Sequence, residues 1–144
     1  MSDKLKRLRA LADELTSYEV ERKKNTRRLK ELFDLLQLGQ KCGEFNAIFD
    51  FKAINLSGIT LTKEKLGSVT EGKYAQIIGI KYVSDDGKRR AKNINLRYFG
   101  RVEQLESGLK ELIVEFVLRW RLEKSYRGVD HYRELVERCD NLQE

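Results

Sequence analysis

Two interleaved seven-residue series run through the start of the chain. Leu8, Leu15, Arg22, Leu29 and Leu36 occupy one, and Leu11, Tyr18, Asn25 and Leu32 the other. Alternating three- and four-residue spacing lines such residues along one stripe of an α-helix. The pattern predicts one long helix from residue 3 to about 38. No proline interrupts it, and the whole chain contains none, which suits long helices and plain strands. Gly39 and Gly43 stand where such a helix should stop, because glycine tolerates the left-handed conformation just past a last turn. The middle layer of the stripe is polar, at Arg22 and Asn25. A core asparagine can fix register and oligomer state at a cost in stability. It could instead mark a break, with Asn25-Thr26 capping a second piece. The stripe has two uses. Packed in trans, Leu8, Leu11, Leu15, Tyr18, Leu29, Leu32 and Leu36 form a dimer interface. Packed in cis, the same leucines are domain core.

The period then changes. From Glu44 to Ile54 apolar and polar residues alternate, predicting a strand of about ten residues with Phe45, Phe49 and Phe51 on its core face. Ser57-Gly58 reads as a turn before a short strand at Ile59 and Leu61, and residues 62–72 as a turn or irregular loop. Residues 73–98 read as a β-hairpin turning at Asp85-Asp86-Gly87. After Gly100, Val102, Leu105, Leu109, Leu112, Ile113, Phe116, Val117 and Trp120 form a broad helical stripe suited to covering a sheet. A break at Gly128 precedes a final short helix with Tyr132, Leu135, Val136, Cys139 and Leu142 on its apolar side. The expected fold is α+β: a long N-terminal helix, an antiparallel sheet of three to four strands, and two C-terminal helices over the sheet. Residues 1–43 form a helical arm and residues 44–144 the α+β domain, together one structural unit.

Charged residues make up 36% of the chain, and 40% hydrophobic content still provides for a core. Residues 1–43 hold 11 Lys and Arg against 7 acids, residues 44–100 hold 10 against 6, and residues 101–144 hold 8 against 10. The first two thirds are therefore cationic, which favours polyanionic partners. Met1–Ala10 is too polar for a secretory signal and no apolar run is long enough to span a bilayer. A cytoplasmic chain with no membrane partner, with Cys42 and Cys139 as free thiols and Cys139 buried on its helix stripe, is the expectation.

Signatures of chemistry are sparse. His131 is the single histidine, placed beside Asp130 at the start of the expected last helix, where a surface or cap role fits best. Together with Cys42 and Cys139 it has no zinc-site spacing. No phosphate-cradling or nucleophile-elbow motif occurs. Asp50-Phe51-Lys52, on the expected first strand, is the best candidate for the acid-x-lysine element of a metal-dependent nuclease, but no strand bearing another acid precedes it. The sequence therefore assigns no catalytic residue, no metal ligand and no cofactor.

Binding residues are more evident. Arg22, Lys23, Lys24, Arg27, Arg28 and Lys30 fall within nine residues that hold no acid. Lys88, Arg89, Arg90 and Lys92 crowd the hairpin tip, with Arg97 further along its second arm. A projecting cationic hairpin fits a nucleic-acid groove or follows a phosphate backbone. Tyr74, Tyr82, Tyr98 and Phe99 share that hairpin, and those that face outward can stack on bases. Arg119, Arg121, Lys124 and Arg127 extend the basic character onto the covering helix. The sequence thus points to a non-enzymatic binding protein with DNA or RNA as partner. The alternatives are a protein–protein module that dimerises through its heptad helix, or a small inhibitor or regulator of a nucleic-acid-processing protein.

Overall fold

The computed structural model describes residues 2–143, the side chains of Leu15 and Thr16 excepted. Helix α1 spans Asp3–Leu35, starting where Ser2 caps it by accepting from the Leu5 amide at 3.3 Å. The single long helix is therefore present, and Arg22 and Asn25 do not break it. It stops one turn earlier than Gly39: Gln37 takes the left-handed conformation at φ 54°, and Gly39 instead opens the short helix α2, Gly39–Cys42.

The alternating segment after Glu44 is not a strand. Phe45–Asp50 forms a 3-10 helix, and strand β1 is Ala53–Ser57. Tertiary packing overrides the two-residue period here. Ile48, Phe49 and Phe51 all enter the core, and the Trp120 indole N–H donates to the Ile48 carbonyl at 2.8 Å. The expected strand at Ile59 and Leu61 reduces to one isolated bridge between Ile59 and Val69.

Strands β2 (Tyr74–Asp85) and β3 (Lys88–Arg101) make the hairpin. Asp86 and Gly87 both have positive φ, 49° and 78°, as a tight two-residue turn between twisted strands requires. The sheet has three antiparallel strands in the order β1-β2-β3. Helix α3 then runs unbroken over Ser107–Leu142, so one C-terminal helix stands where two were expected. Gly128 costs a helix only about 1 kcal/mol relative to alanine, and the pattern on either side is strong enough to carry the helix through.

Both long helices pack on one face of the sheet. Leu29 and Leu32 of α1 and Leu36 at its C-terminal cap are fully buried with Ile54 of β1, Ile77 of β2 and Ile113, Phe116 and Val117 of α3. This half of the heptad stripe is thus packed in cis and is not offered to a second copy. Along the seam, pairs run from Tyr18–Tyr126 through Asn25–Arg119 to Arg28–Glu115, rising on α1 as they fall on α3, so the helices are antiparallel. Buried Asn25 fixes register within the chain: its amide donates to the Arg119 carbonyl and its oxygen accepts from the Arg119 guanidinium, both at 3.0 Å. Among the described residues no helix is long and apolar enough to cross a membrane.

Candidate nucleic-acid interface

Side chains of a strand alternate between its two faces. On β2, Ala75, Ile77 and Gly79 are buried under the helices, so Tyr74, Gln76, Ile78, Ile80 and Tyr82 share the opposite face. The register adds Ala53, Asn55 and Ser57 of β1 on one side, and Arg89, Ala91, Asn93, Asn95, Tyr98 and Arg101 of β3 on the other. The tyrosines of this face are open to solvent, Tyr74 at 47% and Tyr98 at 52%, with Tyr82 at 39% partly shielded by the cations beside it.

Tyr98 joins this face because β3 bulges. Strict alternation from Asn93 and Asn95 would turn Arg97 outward and Tyr98 into the core. The ladder shifts between Ile77 and Ile78, so that Arg97 lies opposite core-facing Ile77 and Tyr98 opposite Gln76. The Tyr74 and Tyr98 rings then lie 5.7 Å apart, tilted by 37°. Phe99 packs instead against the core.

At the far end of the face Tyr82 collects cations. The Arg89 guanidinium lies 4.1 Å and the Lys52 ammonium 4.3 Å from its ring centre. The Lys52 ammonium also donates to the Tyr82 hydroxyl, which with the nearby positive charge moves the phenol below its ordinary range. A hollow of about 490 Å³ opens there, lined by Asp50, Phe51, Lys52, Tyr82, Arg89 and Lys124. Lys124 reaches it from α3, donating to the Phe49 carbonyl at 3.2 Å. Desolvation, then Arg127, lowers its pKa from the usual lysine value. Three cations around a phenol make a polar recess suited to a phosphate or another anion.

From Lys81 outward, Lys81, Val83 and Asp85 pair with Lys92, Arg90 and Lys88, and none of the six is buried. The hairpin therefore projects beyond the helical layer with cations on both faces. Lys88, Arg89, Arg90 and Lys92 are all exposed, and Asp85 holds Arg90 only loosely at 3.8 Å.

Other basic residues have partners within the fold. Arg22 donates from Nε and Nη2 to Glu123 at 2.9 and 2.8 Å and from Nη1 to Asp130. Arg28 grips Glu115 at 3.0 and 2.9 Å and Glu31 at 3.0 Å. Both pairings hold the guanidinium charge more firmly than usual. Arg97 donates to the Leu36 carbonyl and stacks 4.8 Å over Phe99. Arg119 serves Glu115 and Asn25, and Arg121 serves the Ile54 carbonyl and Asn55. Of the six basic residues from Arg22 to Lys30, Lys23, Lys24, Arg27 and Lys30 remain exposed, without ion pairs among the described residues. Sequence reasoning did not place Lys52 beside Tyr82. Its contact with Tyr82, thirty residues away in the chain, leaves no local pattern.

Asp50 ends a 3-10 helix and Lys52 precedes β1, so the acid-x-lysine pair does not share a strand face. Among the described residues no group of three or more His, Cys, Asp or Glu could hold a metal ion. Cys139 is exposed rather than buried, Cys42 is half-buried, and both are free thiols. Desolvation holds the Cys42 thiol above its ordinary range. His131 is exposed and edges the Tyr132 ring at 5.3 Å. No protein-family model, curated protein or solved structure matches the chain.

Proposed function

We propose that this chain is a non-enzymatic binding protein whose open sheet face and projecting hairpin hold single-stranded DNA or RNA. One observation carries the reading: three exposed tyrosines lie on a single open sheet face with cations at both ends, Arg101 beside Tyr74 and Lys52 and Arg89 beside Tyr82. Unpaired bases stack on such rings whatever their identity, whereas bases inside a duplex are already stacked on one another. Tyr74 and Tyr82 are eight residues apart on β2, roughly 26 Å at the usual rise per residue. That length accommodates several nucleotides. The hairpin cations and the Lys52–Arg89–Lys124 recess then take backbone phosphates, and the affinity falls with salt as counterions are released. Nothing on the face forms a bidentate base code, so sequence preference is weak.

The test is fluorescence anisotropy with single- and double-stranded DNA and RNA across a salt series. The expected result is tighter binding of single strands, at least tenfold weaker in the Lys88/Arg89/Arg90/Lys92→Ala variant. Lys23/Lys24/Arg27/Lys30→Ala should retain most of the affinity. Absence of binding to all four ligands at low salt would refute the reading. A second reading, a protein–protein contact surface on the first half of α1, rests on the exposure of Leu5, Leu8 and Leu11 there.

A further inference from the structure

Every described side chain from Ser2 to Glu14 on α1, and from Val129 to Gln143 on α3, is exposed. Helices packed face to face shield the residues between them. Past the last contacts of α1 with Asp130 and Arg133 of α3, the two ends extend with their apolar side chains largely open to solvent. The apolar patterns nevertheless continue. Leu5, Leu8 and Leu11 recur at threes on α1, and Val129, Tyr132 and Val136 at three and four on α3. Each of these six is 41% exposed or more, whereas Leu29, Leu32 and Leu36 further along the α1 stripe are 0% exposed. A groove of about 720 Å³ follows this side of α3, lined by Val129, Tyr132 and Val136 together with Arg133, Glu137 and Asp140.

The charges on the two ends are opposite. Residues 2–14 hold four bases, clustered at Lys4, Lys6, Arg7 and Arg9, against three acids, Asp3, Asp13 and Glu14. From Asp130 to Asp140 α3 holds four acids against two bases. Asp130 is engaged by Arg22 and Glu134 by Arg138. Glu137, Asp140 and the four α1 cations make no ion pair among the described residues.

We propose that these projecting ends are a self-association surface through which two copies of the chain join tip to tip. The α1 end of each copy lies against the α3 end of the other. A two-fold arrangement of this kind makes the same contact twice, covering both apolar stripes and neutralising both charge sets. A polyanion or an anionic membrane would satisfy the basic end but be repelled by the acidic one. The proposal deepens the reading of the first half of α1 as a contact surface, and it is independent of nucleic-acid binding.

Sedimentation equilibrium of the full chain without nucleic acid tests it, from low to high micromolar concentration. The expected mass rises from the 16.9 kDa of one chain to twice that value. Leu8→Asp and Val136→Asp change exposed positions, so circular dichroism, and the thermal midpoint at concentrations where the chain is monomeric, should stay unchanged. Each should raise the dimer dissociation constant roughly a hundredfold, as an unpaired charge in place of an apolar anchor does. Glu137→Lys with Asp140→Lys should weaken the dimer, and adding Lys6→Glu and Arg9→Glu should restore it. The Lys88/Arg89/Arg90/Lys92→Ala variant should dimerise normally, which separates this surface from the hairpin. A single-chain mass throughout the concentration range, or a dimer that survives both apolar substitutions, would overturn the proposal. So would a monomer that binds phosphatidylserine vesicles and loses that binding on Leu8→Asp, since the surface would then belong to lipid.

Discussion

Glu123 is 3% exposed and meets Arg22 through both of its oxygens. Removing one partner of such a pair leaves the other charge poorly compensated. Glu123→Ala should lower unfolding free energy by about 2–3 kcal/mol, the full buried-pair cost being reduced because Arg22 keeps Asp130 and some contact with water. Urea denaturation measures this, and Glu123→Gln should fall between the two. Gly79 has a different role. A Cβ there would come within 2.6 Å of the Phe51 ring, which lies directly on the sheet at that point. Gly79→Ala should cost about 1–3 kcal/mol through overpacking, also read by urea denaturation. In sequence Gly79 is an unmarked glycine inside a strand pattern, and Glu123 an acid in a charged helix. Both roles depend on partners in other elements, so neither could be read from local spacing.

The helix pair is held by charge as well as by leucines. Arg28 first, then Arg119, hold the Glu115 carboxyl below the usual carboxylate range. A carboxylate with a lower pKa in the folded chain adds stability above its unfolded pKa of about 4.3. That contribution disappears as pH falls through the folded value. The thermal midpoint should therefore drop steeply below about pH 4, and Glu115→Gln should flatten that slope while lowering the midpoint at neutral pH. At this scale α1 was legible because its heptads are strict, and the hairpin because Asp86-Gly87 admits few turns. The segment Phe45–Asp50 was not, since its aromatics alternate in sequence while its backbone coils to place Ile48 against Trp120. The α3 break was misjudged because one glycine is a weak punctuation mark inside a long apolar stripe.

For the whole molecule, helices cover one face of the sheet and leave the other to solvent. The cationic segments were visible in the sequence, but which of them stay free was not. Arg22, Arg28 and Arg97 are consumed by acids and carbonyls within the fold, while Lys52 and Lys124 gather around Tyr82 from distant parts of the chain. The tyrosine face itself was hidden by the β3 bulge, which reverses the side on which Tyr98 would fall. If that face stacks bases, Tyr74→Ala and Tyr98→Ala should each weaken single-strand binding by about 1–3 kcal/mol and leave the salt slope unchanged, as anisotropy titrations would read. The most direct test of the face is an amide chemical-shift titration of the isotope-labelled protein with a short single-stranded oligonucleotide. The expected perturbations cluster on the hairpin tip and on Tyr74, Gln76, Ile78, Ile80, Tyr82 and Tyr98. Perturbations confined to α1, or none at saturating oligonucleotide, would contradict the assignment of the sheet face as the binding surface.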